Sequence, residues 1–193
     1  MNKSDNNKPV VCVFCSSSTE VSDSIKAAGA EFGRLLAENG FALLYGGTTC
    51  GLMKIVADAH KQAGGRLIGV IPSYMIERGI NHPDLDELHT VEDLRPRKQA
   101  MLEKSDYIVA LPGGIGTYDE FFDLLTLKQL KRHNKPMFLL DIDGYFTPLL
   151  ALFRHGIEQK TIKAEHLDLF KFCASPDDLL KSIRNLALAR TLS

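Results

Sequence analysis

The chain has 193 residues, with 23 Lys and Arg against 24 Asp and Glu, so its formal net charge is −1. That balance argues against nucleic acid as a partner, because binding a phosphate backbone needs a basic excess gathered on one face. An apolar fraction of 45% and a charged fraction of 24% exclude a disordered or fibrous chain, and no run approaches the roughly 18 apolar residues of a membrane span. The polar start MNKSDNNK is not followed by an apolar targeting segment, so a cytoplasmic protein without membrane contact is expected. Residues 1–8 are expected to form a disordered tail, and residues 9–193 one domain with a sizeable core.

In chain order, short and nearly continuous apolar runs alternate with helix-period segments, the order of parallel strands joined by crossover helices. Strands are predicted over residues 10–15, 41–45, 66–71, 107–111 and 137–140, each apolar enough to be covered on both faces. Between the first two, Ile25, Ala28, Phe32, Leu35 and Leu36 share one helical face, and Gly40 supplies a stop. Leu52, Ile55, Val56 and Ala59 repeat the spacing ahead of Gly64-Gly65. Further helices are predicted over about 96–105 and 117–132, with two more opened by Thr147-Pro148 and Ser175-Pro176. Residues 72–93 read as the longest irregular connection, and long loops at strand ends usually line a site. The fold class is α/β, a doubly wound, Rossmann-like parallel sheet with helices on both faces, whose ligands bind outside the carboxyl ends of the strands.

The four cysteines do not form a disulfide framework in a chain of this length. Cys12 and Cys15 make a C-x-x-C inside an apolar run with no second pair to complete a zinc site, so they read as buried thiols and no metal is expected. Cys50 stands in a glycine loop and could be exposed.

Two glycine loops follow predicted strands and open predicted helices. The first, Gly46-Gly47-Thr48-Thr49-Cys50-Gly51, has the glycine spacing of a phosphate-binding P-loop. It carries Leu52 and Met53 where that motif needs Lys and Ser or Thr, which disfavours nucleoside triphosphate hydrolysis. The glycines and the helix start could still accept a monophosphate, or simply make a tight turn. The second loop, PGGIGTYDE from Pro112 to Glu120, lacks the third glycine of a dinucleotide fingerprint. Its Thr117-x-x-Glu120 fits a capping box, so Glu120 is either a structural cap or a carboxylate facing a ligand. Arg95, Arg97 and Lys98 surround Pro96 at a predicted helix start, where the macrodipole disfavours cations. A ligand phosphate, the carboxylates of Asp119 and Glu120, or plain solvation would account for them. A pocket with anion-binding backbone, a guanidinium and a carboxylate suits a nucleoside monophosphate, and the carboxylate could assist departure of the base through an oxocarbenium-like transition state or by activating water.

PGGIGTYDE, together with Arg97-Lys98, GGTTCGLM at residues 46–53 and VCVFCSSS near the start, resembles the LOG (Lonely Guy) family of cytokinin riboside 5′-monophosphate phosphoribohydrolases, which often carry an older lysine decarboxylase label. The resemblance implies hydrolysis of the N-glycosidic bond of a nucleoside 5′-monophosphate to free base and ribose 5-phosphate, without metal or organic cofactor, by a homodimer. It also implies Arg97 and Glu120 as catalytic residues. Lys98, Gly113, Gly114, Ile115, Gly116, Thr117, Asp119 and Thr126 would contact the nucleotide, beside Gly46, Gly47 and Gly51 of the first loop. The sequence departs from the family pattern at Ser16, Thr48, Lys54, Gly79, Leu94, Arg95 and Pro96, with Glu77 near enough to stand in for the glutamate missing at Gly79. These changes leave the catalytic pair intact and cluster where substrate would be read. The alternative is a nucleotide carrier or sensor that uses the same pocket without turnover. Lysine decarboxylation normally needs pyridoxal phosphate on a Schiff-base lysine, and no lysine here sits in such a setting.

Overall fold

A computed structural model describes residues 8–191, and the expected tail, but for its last residue, lies outside the described residues. The apolar runs become β1 (Val10–Phe14), β2 (Ala42–Tyr45), β3 (Leu67–Pro72), β5 (Tyr107–Ala110) and β6 (Met137–Leu140). Two strands that the sequence pattern hides, β4 (Glu87–Val91) and β7 (Lys171–Cys173), extend the sheet at its two edges. The seven strands lie in the order β4-β3-β2-β1-β5-β6-β7, and every recorded pairing is parallel. Chain order reverses between β1 and β5, which makes the end of β1 the switch point of a doubly wound sheet.

Alternation along β1 explains the two-sided core. Val11, Val13 and Cys15 face the layer of α1 (Asp23–Glu38), α2 (Gly51–Gln62) and α7 (Pro176–Thr191), while Cys12 and Phe14 face α4 (Leu94–Lys104), α5 (Ile115–Gln129) and α6 (Thr147–Glu158). The same alternation puts the two thiols of the C-x-x-C on opposite faces of the sheet. Both are buried, and burial pushes both thiols up. Among the described residues no cluster of three or more His, Cys, Asp or Glu side chains could hold a metal ion, and no helix is long and apolar enough to cross a membrane.

Local sequence sets the helix ends. Ser22 caps α1 by accepting from the Ile25 N–H, Asp23 sits in its first turn, and Gly40 leaves it with φ +77°. Helices α1 and α2 touch closely because Gly33 has no side chain: a Cβ there would lie 2.3 Å from the Val56 carbonyl oxygen. The connection read as irregular holds a single helical turn, α3 (Ser73–Ile76), before β4. It is pinned to the first glycine loop by the Thr49 N–H donating to Ile80 O (2.9 Å) and the His82 N–H donating to Gly47 O (2.8 Å). His82 also hydrogen bonds through Nε2 to Asp58 of α2 at 3.0 Å.

Candidate active site

At the carboxyl ends of the central strands lies a cleft of about 370 Å³, within the usual size of a small-molecule site. Arg97, on the first turns of α4, reaches back over the sheet and donates from Nε to the carbonyl of Val70 within β3 (3.0 Å). Its Nη1 lies 3.4 Å from Glu120 Oε1, and both side chains are largely buried, 11% and 15% exposed. The remaining nitrogen lies against Gly46, where a Cβ would come within 2.3 Å of Nη2. That glycine of the first loop therefore makes room for the guanidinium.

Glu120 is not a helix cap. Helix α5 begins two residues earlier than its predicted start, with Gly114 as the N-cap and no side chain bonded to its first turn. Thr117 lies inside that turn, buried against Gly113, and Glu120 one turn further on faces the cleft. Burial raises the Glu120 carboxyl above the usual carboxylate range, and the Arg97 guanidinium opposes the rise. The cations at the start of α4 meet carboxylates from α5: Lys98 Nζ is 3.1 Å from both Asp119 oxygens and 3.6 Å from Asp123. Arg95 points to solvent.

The two helix N-termini at the cleft differ. At α2 the Leu52 N–H donates to Ser16 O (3.0 Å), and Gly51, at φ +49°, packs on the Ser17 and Ser18 backbone. At α5 the first-turn N–H groups of Ile115, Gly116 and Thr117 have no acceptor within the helix and no side-chain cap. Neither terminus has a side-chain cap, and α2 has one first-turn donor already taken by Ser16, so α5 leaves its first-turn N–H groups open to an anion.

Of the residues singled out in the sequence, Arg97, Lys98, Gly114, Ile115, Gly116, Thr117, Asp119 and Glu120 line the cleft. Gly113 lies just beneath it, Gly46, Gly47 and Gly51 shape the loop beside it, and Gly47 packs on Ile71 at φ +69°. Thr126 stands apart: it is exposed on α5, bonded to the Phe122 carbonyl (2.8 Å), in a shallow depression that shares only Ile115 and Asp119 with the cleft. Glu77 is exposed at the end of α3 and lies outside the cleft lining. An apolar wall is made by Met53, Met75, Ile80 and Leu94; the sequence reading placed Leu94 among the departures near the substrate and named Met53 in the first loop, but missed Met75 and Ile80. Met75 and Ile80 come from the connection already suspected of lining a site. Thr48 adds a buried hydroxyl whose recorded partner is the Met53 sulfur, at 3.7 Å.

Fold and site together define a Rossmann-like α/β protein in which an uncapped helix terminus and a guanidinium–carboxylate pair share one cleft. The model of the family described as "Possible lysine decarboxylase" matches residues 53–183. The rice (Oryza sativa subsp. japonica) protein named probable cytokinin riboside 5′-monophosphate phosphoribohydrolase LOG4 is 36% identical over 177 residues, covering 92% of this chain and 77% of that one. Cytokinin riboside 5′-monophosphate phosphoribohydrolase LOG1 of Arabidopsis thaliana is 35% identical over 175 residues, covering 91% and 82%. Among solved structures, the molybdenum cofactor binding protein of Rippkaea orientalis superposes with a TM-score of 0.73 at 22% identity, covering 94% of this chain and 98% of that one. TM1055 superposes with a TM-score of 0.70 at 23% identity, covering 92% and 99%, and at these identities both similarities concern the fold alone. The chain belongs to the LOG family.

Proposed function

We propose that this protein hydrolyses the N-glycosidic bond of a nucleoside 5′-monophosphate, a cytokinin riboside 5′-monophosphate or AMP, releasing the free base and ribose 5-phosphate. The observation that carries this reading is the buried Glu120–Arg97 pair, 3.4 Å apart, beside the uncapped start of α5. The N–H groups of Ile115, Gly116 and Thr117 receive the 5′-phosphate, with Lys98 beside them as a nucleotide contact held by Asp119 and Asp123. Glu120 faces the sugar. As the C1′–N bond breaks, its electron pair leaves with the base, and the carboxylate stabilises the cationic sugar or removes a proton from the attacking water. The water oxygen ends on C1′ and a proton on the base. Arg97 opposes the rise that burial imposes on the Glu120 carboxyl and holds that side chain in place.

The apolar wall of Met53, Met75, Ile80 and Leu94 supports a flat, weakly polar base on the other side of the cleft. The family relatives' names support the same substrate class. Lys98 is paired with Asp119 and Asp123, which gives no support to a Schiff-base role. The protein is further proposed to work as a cytoplasmic homodimer, with sedimentation at twice the 21.4 kDa of the chain as the check, and Thr126 as a nucleotide contact.

Separate incubations with AMP and with isopentenyladenosine 5′-monophosphate, followed by chromatography of base and ribose 5-phosphate, test the reading. Release from the prenylated nucleotide alone defines a cytokinin-activating enzyme, and release from AMP a broader nucleotide hydrolase. Saturable binding with no base released overturns hydrolysis in favour of a carrier. Replacing Glu120 with Gln is expected to lower kcat about 10²- to 10⁴-fold while nucleotide affinity survives, and unchanged turnover would remove Glu120 from the mechanism.

A further inference from the structure

The α5 N-terminal turn carries its N–H groups without any side-chain cap, so something else must fix its backbone. Three ties are visible. The Ser16 N–H donates to Pro112 O at 3.2 Å, Thr117 packs under Gly113, and Tyr145 donates its phenol to the Gly113 carbonyl at 2.6 Å. Tyr118, on α5 itself, donates in turn to the Tyr145 oxygen at 3.2 Å. The result is a directed chain from Tyr118 through Tyr145 to Gly113, in which each bond strengthens the next. The Tyr118 phenol is pushed up to about 12, by burial first and then by its bond to Tyr145, so it keeps its proton through the neutral range.

Tyr145 is itself held firmly. Its ring stands edge-on to Phe146 with centroids 5.0 Å apart, and its N–H donates to Ile142 O at 3.0 Å. The Phe146 N–H donates to Asp141 at 2.6 Å, and Asp143 accepts from Ser24 at the start of α1. None of these residues lines the cleft.

We infer that Tyr145 is a positioning residue for the phosphate end of the cleft, acting through the Gly113 carbonyl. In a planar trans peptide the C=O and the following N–H point in opposite directions. Holding the Gly113 oxygen toward Tyr145 therefore turns the Gly114 N–H to the opposite side, and Gly114 lines the cleft. Gly113 and Gly114 have no side chains to restrict this peptide unit, so it would otherwise rotate at little cost. Tyr145 thus fixes the Gly114 N–H, and with it the N-cap from which the N–H groups of Ile115, Gly116 and Thr117 follow, before an anion arrives, and ordering that cap does not have to be driven by binding. The inference rests on the nucleotide reading above, and it predicts a defect confined to the phosphate end of the ligand.

The test is Tyr145→Phe, which keeps the ring and removes the hydroxyl. Calorimetry with ribose 5-phosphate and with adenine, on the full chain, separates the two ends of the cleft. Affinity for ribose 5-phosphate is expected to fall about three- to tenfold, the equivalent of one neutral hydrogen bond, with adenine affinity unchanged. With AMP, KM rises by a similar factor while kcat moves less than about twofold. Tyr118→Phe, which leaves the bond to Gly113 in place, gives a smaller loss in the same direction. Equal affinity of Tyr145→Phe and the unsubstituted protein for ribose 5-phosphate overturns the inference alone. Parallel loss of both ligands also overturns it, because that marks general loosening. Absence of ribose 5-phosphate binding in the unsubstituted protein overturns the nucleotide reading beneath it.

Discussion

Arg97 is the residue on which the site turns, since each of its nitrogens faces a different element: β3 through Val70, the first glycine loop at Gly46, and α5 through Glu120. Because burial raises the Glu120 carboxyl and Arg97 opposes that rise, removing the cation leaves burial acting alone. Arg97→Gln is therefore expected to move the Glu120 titration to higher pH, so that the ionised form is lost sooner as pH falls. Carbon NMR of the labelled Glu120 carboxyl reads this without requiring turnover, and a titration that stays put or moves down contradicts the pairing. Gly46→Ala places a methyl where Nη2 now sits. Its neighbours are the ends of flexible side chains, so the fold is expected to survive with little change in Tm. The displaced guanidinium should cost about 10²-fold in kcat/KM, and a fully active variant would show that the guanidinium position is not critical. Part of this residue-level detail was legible: the carboxylates of Asp119 and Glu120 were one of three partners weighed for the cation cluster, and they meet Lys98 and Arg97, whereas Arg95 is left to solvent. What spacing could not show was whether Thr117 began its helix. The two residues that decide it, Gly114 and Ile115, reveal their role only through backbone geometry.

At the level of elements, the seam between α1 and α2 depends on Gly33, whose missing side chain lets backbone meet backbone. Gly33→Ala should overpack that seam by about 3 kcal/mol, lowering Tm by roughly 6–12 °C; an unchanged Tm would mean that the helices can separate at no cost. The same seam holds His60, fully buried, with Nδ1 2.9 Å from Gly33 O and Nε2 3.2 Å from Arg66 O. Burial lowers its affinity for a proton, against the pull of those two carbonyls. An ordinary histidine in the unfolded chain takes up a proton near pH 6.5, whereas the folded one resists, so stability is complete above that pH and declines as the solution is acidified. Thermal melts between pH 7.5 and 5.5 should fall less steeply in His60→Gln than in the unsubstituted protein, and equal slopes would exclude His60 as a source. The elements missed in the sequence share one cause. Strand β4 reads Glu-Leu-His-Thr-Val with alternating half-buried positions, and β7 has three residues. Edge strands bury little, so they lack the continuous apolar signature that gave away β1, β2, β3, β5 and β6.

Across the whole molecule, alternation of apolar runs and helical periods was enough to indicate a doubly wound sheet, because that order leaves few other topologies. The cleft lies where the rule for such sheets puts it, at the ends of strands flanking the reversal between β1 and β5. That reversal also governs how the molecule is made. Val11 of β1 is paired with Tyr107 of β5, so β1 keeps one backbone edge unmatched until the nearly one hundred residues between them have been synthesised. Closing so long a loop slows folding and leaves an edge open to wrong partners during translation. Arg97 precedes β5 and Glu120 follows it, so the pairing that completes the sheet also brings the two residues into contact. A nascent chain stalled before residue 107 would carry the residues of β1, β2, β3 and the first glycine loop, yet contain neither half of the second loop nor a finished cleft.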